Sequence, residues 1–222
     1  MGKQMGRLLT VVLLLFLVGC KQESIPVDNH STPTENQSGP AKTAPTVKLW
    51  GTTYSLPSFT SVSRGFAVRD IHGKKLGPIL SKSDWCSLAM EGSGIIDGQV
   101  YTYDGTSSRY IVRCKHRASG KVKFKKGKHK YGTGNRNNPL TPFKSVACDQ
   151  HKFKYGQKFF IPAAQGLSMP DGTTHNGEFT CEDVGGLIKD NHLDFFIGGA
   201  KKNPFPFVKS SSKYTFKAYL ID

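Results

Sequence analysis

What most limits the fold of this chain is a succession of short β-prone runs, each closed off within a few residues by glycine, proline, asparagine or aspartate. VKLWGTTYSL (47–56), GFAVRD (65–70), QVYTYDG (99–105), RYIVRC (109–114), KVKFKK (121–126), FKSVACD (143–149), QKFFIP (157–162), HLDFFIG (192–198) and SKYTFKAYLI (212–221) are all rich in β-branched or aromatic residues. Polar and apolar positions alternate most clearly in KVKFKK and YTFKAYLI, the pattern of antiparallel strands with one wet face. Two helical segments interrupt the strands. SKSDWCSLAMEG (81–92) has Ser81 or Ser83 to cap its start and Gly92 to stop it, and GGLIKDN (185–191) is a short helical turn. Many short strands with few helices predict a mainly β domain, a barrel or a sandwich.

The N-terminus stands outside this pattern. Lys3 and Arg7 form a basic start, LLTVVLLLFLV (8–18) is an apolar stretch, and LVGC closes it at Cys20. The apolar stretch is shorter than the about 20 residues that a membrane-spanning helix needs. With Leu17 three positions before the cysteine, it resembles the bacterial lipobox. That resemblance implies removal of the signal peptide 1–19 and lipidation of Cys20, which places the mature protein in the cell envelope. Lys21 after the cysteine implies the periplasmic face of the outer membrane in a Gram-negative cell. Residues 20–46 are rich in Ser, Thr, Pro, Asn and Gln and read as a disordered tether. The remainder, 47–222, is long enough for one domain with a core of its own.

Export fits the cysteines. Apart from Cys20, the chain has Cys86, Cys114, Cys148 and Cys181, an even number with no CxxC pair. Two disulfides are expected rather than a zinc site, and three connectivities are open. Strand parity puts Cys181 on the face of Asp183 but sets Cys148 against Asp149, so a Cys148–Cys181 bridge would require a bend in one strand.

The formal net charge is +15, and the signal peptide accounts for two of the positive charges. The most concentrated stretch is KVKFKKGKHKYGTGNRNN (121–138). It reads as a solvated edge strand and loop, as a surface drawn to anionic envelope polymers, or, least well, as a nucleic-acid face. One Phe and one Tyr make a thin stacking platform for single strands, so nucleic acid is not an expected partner. His72, His116, His129, His151, His175 and His192 show neither HxH nor HExxH spacing, and no metal or cofactor is expected. GxSxG is missing, and GTGN (132–135) does not lead from an apolar strand into a helix as a phosphate cradle would.

What remains are aspartates in apolar surroundings, in a chain with only 16 acidic residues against 31 basic ones. Asp149 (VACD), Asp183 (CEDVGG) and Asp194 (HLDFFIG) are such positions, and a carboxylate set among aromatics is costly to bury unless it is paired, neutralised or put to use. Ala147-Cys148-Asp149, Ile161-Pro162 and DVGGLIKDNHLDFFIG (183–198) resemble the three-aspartate 3D domain. Its pattern runs D-x-G-G-A-I-K-G, three residues, then D-x-[FY]-x-G. Leu187 replaces Ala and Asp190 replaces Gly, while the aspartates and the glycine pair are retained. GTTYSLPSF (51–59) is similar to the family's opening strand, whereas 60–142 has no counterpart in the pattern.

The resemblance implies a six-stranded double-psi β-barrel with extra strands and one or two short helices. It also implies a peptidoglycan lytic transglycosylase acting on glycan strands, with Asp194 as the acid/base and Asp183 and Asp149 as supporting carboxylates. Tyr54 and Trp50 would contact the glycan, and Gly185 and Gly186 would let the backbone turn and approach it. If Asp194 faces a groove, parity sends Leu193, Phe195 and Ile197 into the core and leaves Phe196 on its side. An aromatic neighbour, poor solvation and the charges of Asp149 and Asp183 would keep it protonated. The alternative is a non-catalytic, expansin-like module that binds wall polysaccharide.

Overall fold

A computed structural model describes residues 44–116 and 119–222; the expected signal peptide, Cys20 and nearly all of the tether lie outside the described residues. The elements are β1 (Thr46–Tyr54), β2 (Ser58–Phe59), β3 (Phe66–Arg69), β4 (Lys75–Leu80), α1 (Lys82–Glu91), β5 (Ser93–Ile96), β6 (Gln99–Thr106) and β7 (Val122–Lys126). They are followed by β8 (Ser145–Ala147), β9 (Lys158–Phe160), β10 (Glu178–Asp183), β11 (His192–Phe196) and β12 (Phe216–Ile221).

Six of these strands close into a barrel in the order β1-β11-β8-β10-β9-β12. Two parallel pairs, β1 with β11 and β8 with β10, meet through the antiparallel contact of β8 and β11. This is the double-psi β-barrel architecture, and closure leaves the barrel no free edge. Period-two alternation fills it: Leu193, Phe195 and Ile197 point into a core that includes Leu49, Val146, Phe159, Phe179, Phe205 and Phe216. Phe195 is fully buried, with its ring 4.9 Å from Phe179 and 5.4 Å from Phe205. Burial of a phenylalanine of this kind contributes about 1.5–3 kcal/mol. The packing also explains Gly51, where a Cβ would stand 2.6 Å from the Phe195 ring.

Between β1 and β8 the chain builds a second lobe. A four-stranded sheet, β2-β5-β6-β7, and the β3–β4 hairpin pack with α1 around Val68, Leu80, Trp85, Leu88, Ile96 and Phe124. Ser81 caps α1 by accepting from the Asp84 amide at 3.2 Å, and Gly92 ends it in the left-handed conformation at φ 74°. A Cys86–Cys114 disulfide ties the helix to the segment before β7. Residues 60–142, which the 3D pattern does not account for, are thus mostly this lobe. Leu56, Leu140 and Phe196 form a small cluster joining it to the barrel, with Tyr54, Ile95 and Tyr131 packed around them.

Three local expectations change. GGLIKDN (185–191) makes turns and no helix, and α1 is the one α-helix among the described residues. RYIVRC (109–114) joins no sheet; Val112 is buried and bonds the Gly120 carbonyl instead, at 3.1 Å. In KVKFKK the polar position Lys123 is buried rather than wet. Its ammonium donates to the carbonyls of Lys121, Val122 and Ser107 at 3.1, 3.2 and 3.4 Å, which satisfies the charge without a carboxylate.

Candidate active site

The parallel register of β1 and β11 sets Trp50 beside His192, Thr52 beside Asp194 and Tyr54 beside Phe196. All six side chains face away from the barrel core, as parity requires once Leu193, Phe195 and Ile197 point inward. Each rung makes its own contact. The Trp50 and His192 rings stack 3.7 Å apart at 11°, and the Tyr54 and Phe196 rings lie 5.1 Å apart. Between them the Thr52 hydroxyl lies 2.6 Å from Asp194 Oδ1 and 2.9 Å from His192 Nε2.

Asp183 reaches this face from the end of β10. Its Oδ2 accepts from the Tyr54 phenol at 3.0 Å and its Oδ1 from the Val184 amide at 2.8 Å. The Asn135 amide, from the GTGN loop of the second lobe, also donates to it. Gly134 makes that approach possible, because a Cβ there would lie 2.5 Å from the Glu182 carbonyl and 3.1 Å from Asp183 Cβ. GTGN is therefore a cradle, but for a protein carboxylate.

Burial pushes the Asp183 carboxyl up to about 6, against the pull of its Val184, Tyr54 and Asn135 donors. Burial likewise pushes Asp194 up to about 6; where the Thr52 hydroxyl donates to Oδ1 it opposes this by favouring the carboxylate, and the charges of Glu91 and Asp183 add to the rise. Glu91 closes α1 and is itself raised by burial, although the Ser55 amide donates to it at 3.2 Å. Burial and the neighbouring Asp183 raise the Tyr54 phenol well above its ordinary value, so it stays a donor.

The other expected site residues divide. Asp149 is buried and holds the turn that precedes β11. It accepts from the amides of Asp190 at 2.9 Å and His151 at 3.1 Å, which hold its carboxyl below the usual range. The charges raising Asp194 are those of Glu91 and Asp183. Neither Gly185 nor Gly186 adopts positive φ. At Gly185 a Cβ would lie 2.5 Å from Ile188 Cγ1, so packing requires the glycine, whereas Gly186 faces open space. Cys148 pairs with Cys181, and the bend that this bridge needs is present as a bulge between Cys181 and Asp183 where β10 pairs with β8. Among the described residues, no group of three or more His, Cys, Asp or Glu is arranged to hold a metal.

A cleft of about 540 Å³ opens between the lobes from Tyr54 and Glu91, bounded further by Leu56, Ile95, Tyr131, Lys201 and Asn203. The sequence reading missed Thr52, Glu91, Asn135 and His192. The first and last sit two residues from singled-out positions, and Glu91 stands just before the helix stop.

Residues 144–203 match the family model of the 3D domain. This segment is similar to the 3D domain. The matched segment holds Asp149, Asp183 and Asp194, while Thr52, Tyr54, Glu91 and Asn135 come from outside it. No curated protein matches the sequence. Among solved structures, the chain is similar to Escherichia coli MltA with bound chitohexaose, at 17% identity and a TM-score of 0.52, over 78% of this chain and 71% of that one. It is also similar to a membrane-bound lytic murein transglycosylase from Agrobacterium tumefaciens, at 12% identity and a TM-score of 0.52, over 78% and 73%. Residues outside 60–142 make up under two thirds of the sequence. The shared fold therefore takes in part of the second lobe as well as the 3D domain.

Proposed function

We propose that this protein is a peptidoglycan lytic transglycosylase that cleaves the β-1,4 bond between MurNAc and GlcNAc and leaves 1,6-anhydroMurNAc ends. The observation that carries this reading is Asp194, half-buried on the outer face of the barrel with its carboxyl raised to about 6. A general acid working near neutral pH must keep its proton until the leaving group takes it. The fold shared with lytic transglycosylases, one of them holding a chitohexaose, supports the same reading.

Asp194 in its acid form protonates the glycosidic oxygen as the C1–O bond breaks, and the bonding pair leaves with that oxygen. The carboxylate then removes a proton from the C6 hydroxyl of the same MurNAc, whose oxygen closes onto C1. One residue serves both steps and no water enters, so a second catalytic carboxylate is not required. Asp183, held by Tyr54 and Asn135, places negative charge near the positive charge that develops on the sugar. Tyr54 and Trp50 supply aromatic surface along the path. Cys20 would carry the lipid that fixes the enzyme to the envelope, at the periplasmic face of the outer membrane in a Gram-negative cell, and the net charge, +15 less the two charges of the signal peptide, favours an anionic wall.

The test is incubation with purified sacculi followed by mass spectrometry of the products. Anhydro-muropeptides should appear with the natural protein and vanish with Asp194→Asn. Undiminished release by that variant would remove Asp194 from the role, and sedimentation with sacculi without any product would make the protein a wall-binding module.

A further inference from the structure

The Thr52 hydroxyl stands between two groups that compete for its one proton. Asp194 Oδ1 is 2.6 Å away on one side and His192 Nε2 is 2.9 Å away on the other. The Leu187 carbonyl also faces the His192 ring and favours a hydrogen on it, and with Nε2 turned to Thr52 that contact falls to Nδ1. Stacking on Trp50 at 3.7 Å and 11° holds the ring in this orientation.

We propose that His192 is a positioning residue: acting through the Thr52 hydroxyl, it keeps the proton on Asp194 until the substrate takes it. The inference rests on the reading of Asp194 as the acid. A neutral imidazole carries one N–H. If Nδ1 gives that hydrogen to Leu187, Nε2 has only a lone pair and needs a donor. Thr52 must then donate to Nε2, which leaves its oxygen free only to accept. Asp194 completes the chain by donating, and it can do so only when protonated.

Ionised Asp194 breaks this order. It needs the Thr52 proton for itself, which turns the lone pairs of Oγ1 and Nε2 toward each other at 2.9 Å. The other escapes are a shift of the ring hydrogen to Nε2, which gives up the contact of Nδ1 with Leu187, and protonation of the ring, which its burial opposes. Each cost falls on the carboxylate alone, so the chain favours the acid form. The same asymmetry serves the second half of the reaction. Once Asp194 has given its proton to the leaving oxygen, the chain is left one proton short, and the proton taken from the C6 hydroxyl restores it. The other titratable groups facing Asp194 are Glu91 from α1, Asp183 from β10 and Tyr54 from β1; the two carboxylates oppose its ionisation, and Tyr54 is itself engaged with Asp183. They add to the effect, and the Thr52–His192 chain supplies a hydrogen-bond order that only the acid form satisfies.

The experiment is nitrogen and carboxyl-carbon NMR on the full chain without ligand. His192 should be neutral, with its hydrogen on Nδ1, at neutral pH. The Asp194 carboxyl should titrate near 6 in the natural protein and in Thr52→Ser, which keeps the hydroxyl. In His192→Gln, whose amide can donate to Thr52, the midpoint should fall by about 1 on the pH scale, and the alkaline limb of anhydro-product release should move with it. A hydrogen on Nε2 in the natural protein would overturn the proposal, and so would an unmoved Asp194 midpoint in folded His192→Gln. Failure of the acid assignment shows separately, as continued release by Asp194→Asn.

Discussion

Tyr54 and Asp183, 129 positions apart in the sequence, meet across the outer wall of the barrel, with the phenol donating to Oδ2 at 3.0 Å. This bond favours the ionised carboxylate, whereas burial favours the neutral one, and burial wins. Tyr54→Phe therefore raises the Asp183 carboxyl further above 6. It also destabilises the fold by about 0.5–1.5 kcal/mol above that pH, where the carboxylate loses a donor. Carboxyl NMR reads the first effect, and urea unfolding at pH 5 and pH 8 reads the second.

The pH dependence has a definite sign. Asp183 and Asp194 each titrate near 6 in the fold against an ordinary 3.8, so the folded chain binds protons more tightly than the unfolded chain between those values. Their favourable contribution is complete below 3.8 and is lost as pH rises through 6. Stability should thus decline across this window by up to about 2–3 kcal/mol per group, and Asp194→Asn should remove its own share of the decline. Product release should also fall as pH rises past 6, because the acid form disappears. Urea midpoints and rate profiles over the same buffers check both.

Glu91 acts on Asp194 from the other lobe. Glu91→Gln keeps an oxygen for the Ser55 amide but removes the charge, so ionisation of Asp194 becomes easier. The alkaline limb of the rate profile should shift down by about 0.5 on the pH scale, leaving the rate at low pH unchanged. An unmoved limb would show that the charge of Glu91 does not reach Asp194.

Two glycines should behave differently. Gly134→Ala drives a methyl group toward the Glu182 carbonyl and Asp183 Cβ, displacing the Asn135 amide. Product release should fall about ten- to a hundredfold with the fold retained. Gly186→Ala meets no atom within 4 Å, so its melting curve should match that of the natural protein. Any loss of glycan binding in that variant would then report contact with the ligand. Circular dichroism, melting curves and sacculus binding separate these outcomes.

Much of the barrel was legible because alternation in HLDFFIG and the aspartate–glycine spacing are local properties of the chain. Parity alone placed Leu193, Phe195 and Ile197 inside and Phe196 beside Asp194. The strand β10, by contrast, reads as EFTCED, whose polar positions and acidic ends conceal it until two neighbouring strands satisfy its backbone. The helical reading of 185–191 failed because Asp149 fixes that turn from 41 positions away, through the Asp190 amide. The same limit hid Thr52, Glu91 and Asn135. Each is unremarkable in its own neighbourhood and gains meaning only from the β1–β11 register or the docking of the second lobe. Asp149 shows a related limit: composition marks its carboxylate as unusual, but only the structure shows that it holds the amides of His151 and Asp190.

The chain departs from the barrel after Tyr54 and rejoins it at Ser145, so everything the second lobe brings to the aspartates hangs on two narrow crossings. Glu91 and Asn135 travel together on that lobe, one pressing a carboxyl toward its neutral form and the other toward its charged form. A ligand that wedged the cleft wider would withdraw both at once, making Asp194 easier to ionise and Asp183 harder. The two aspartates would then cease to be near-equals, and the width of the groove would decide which of them held the proton.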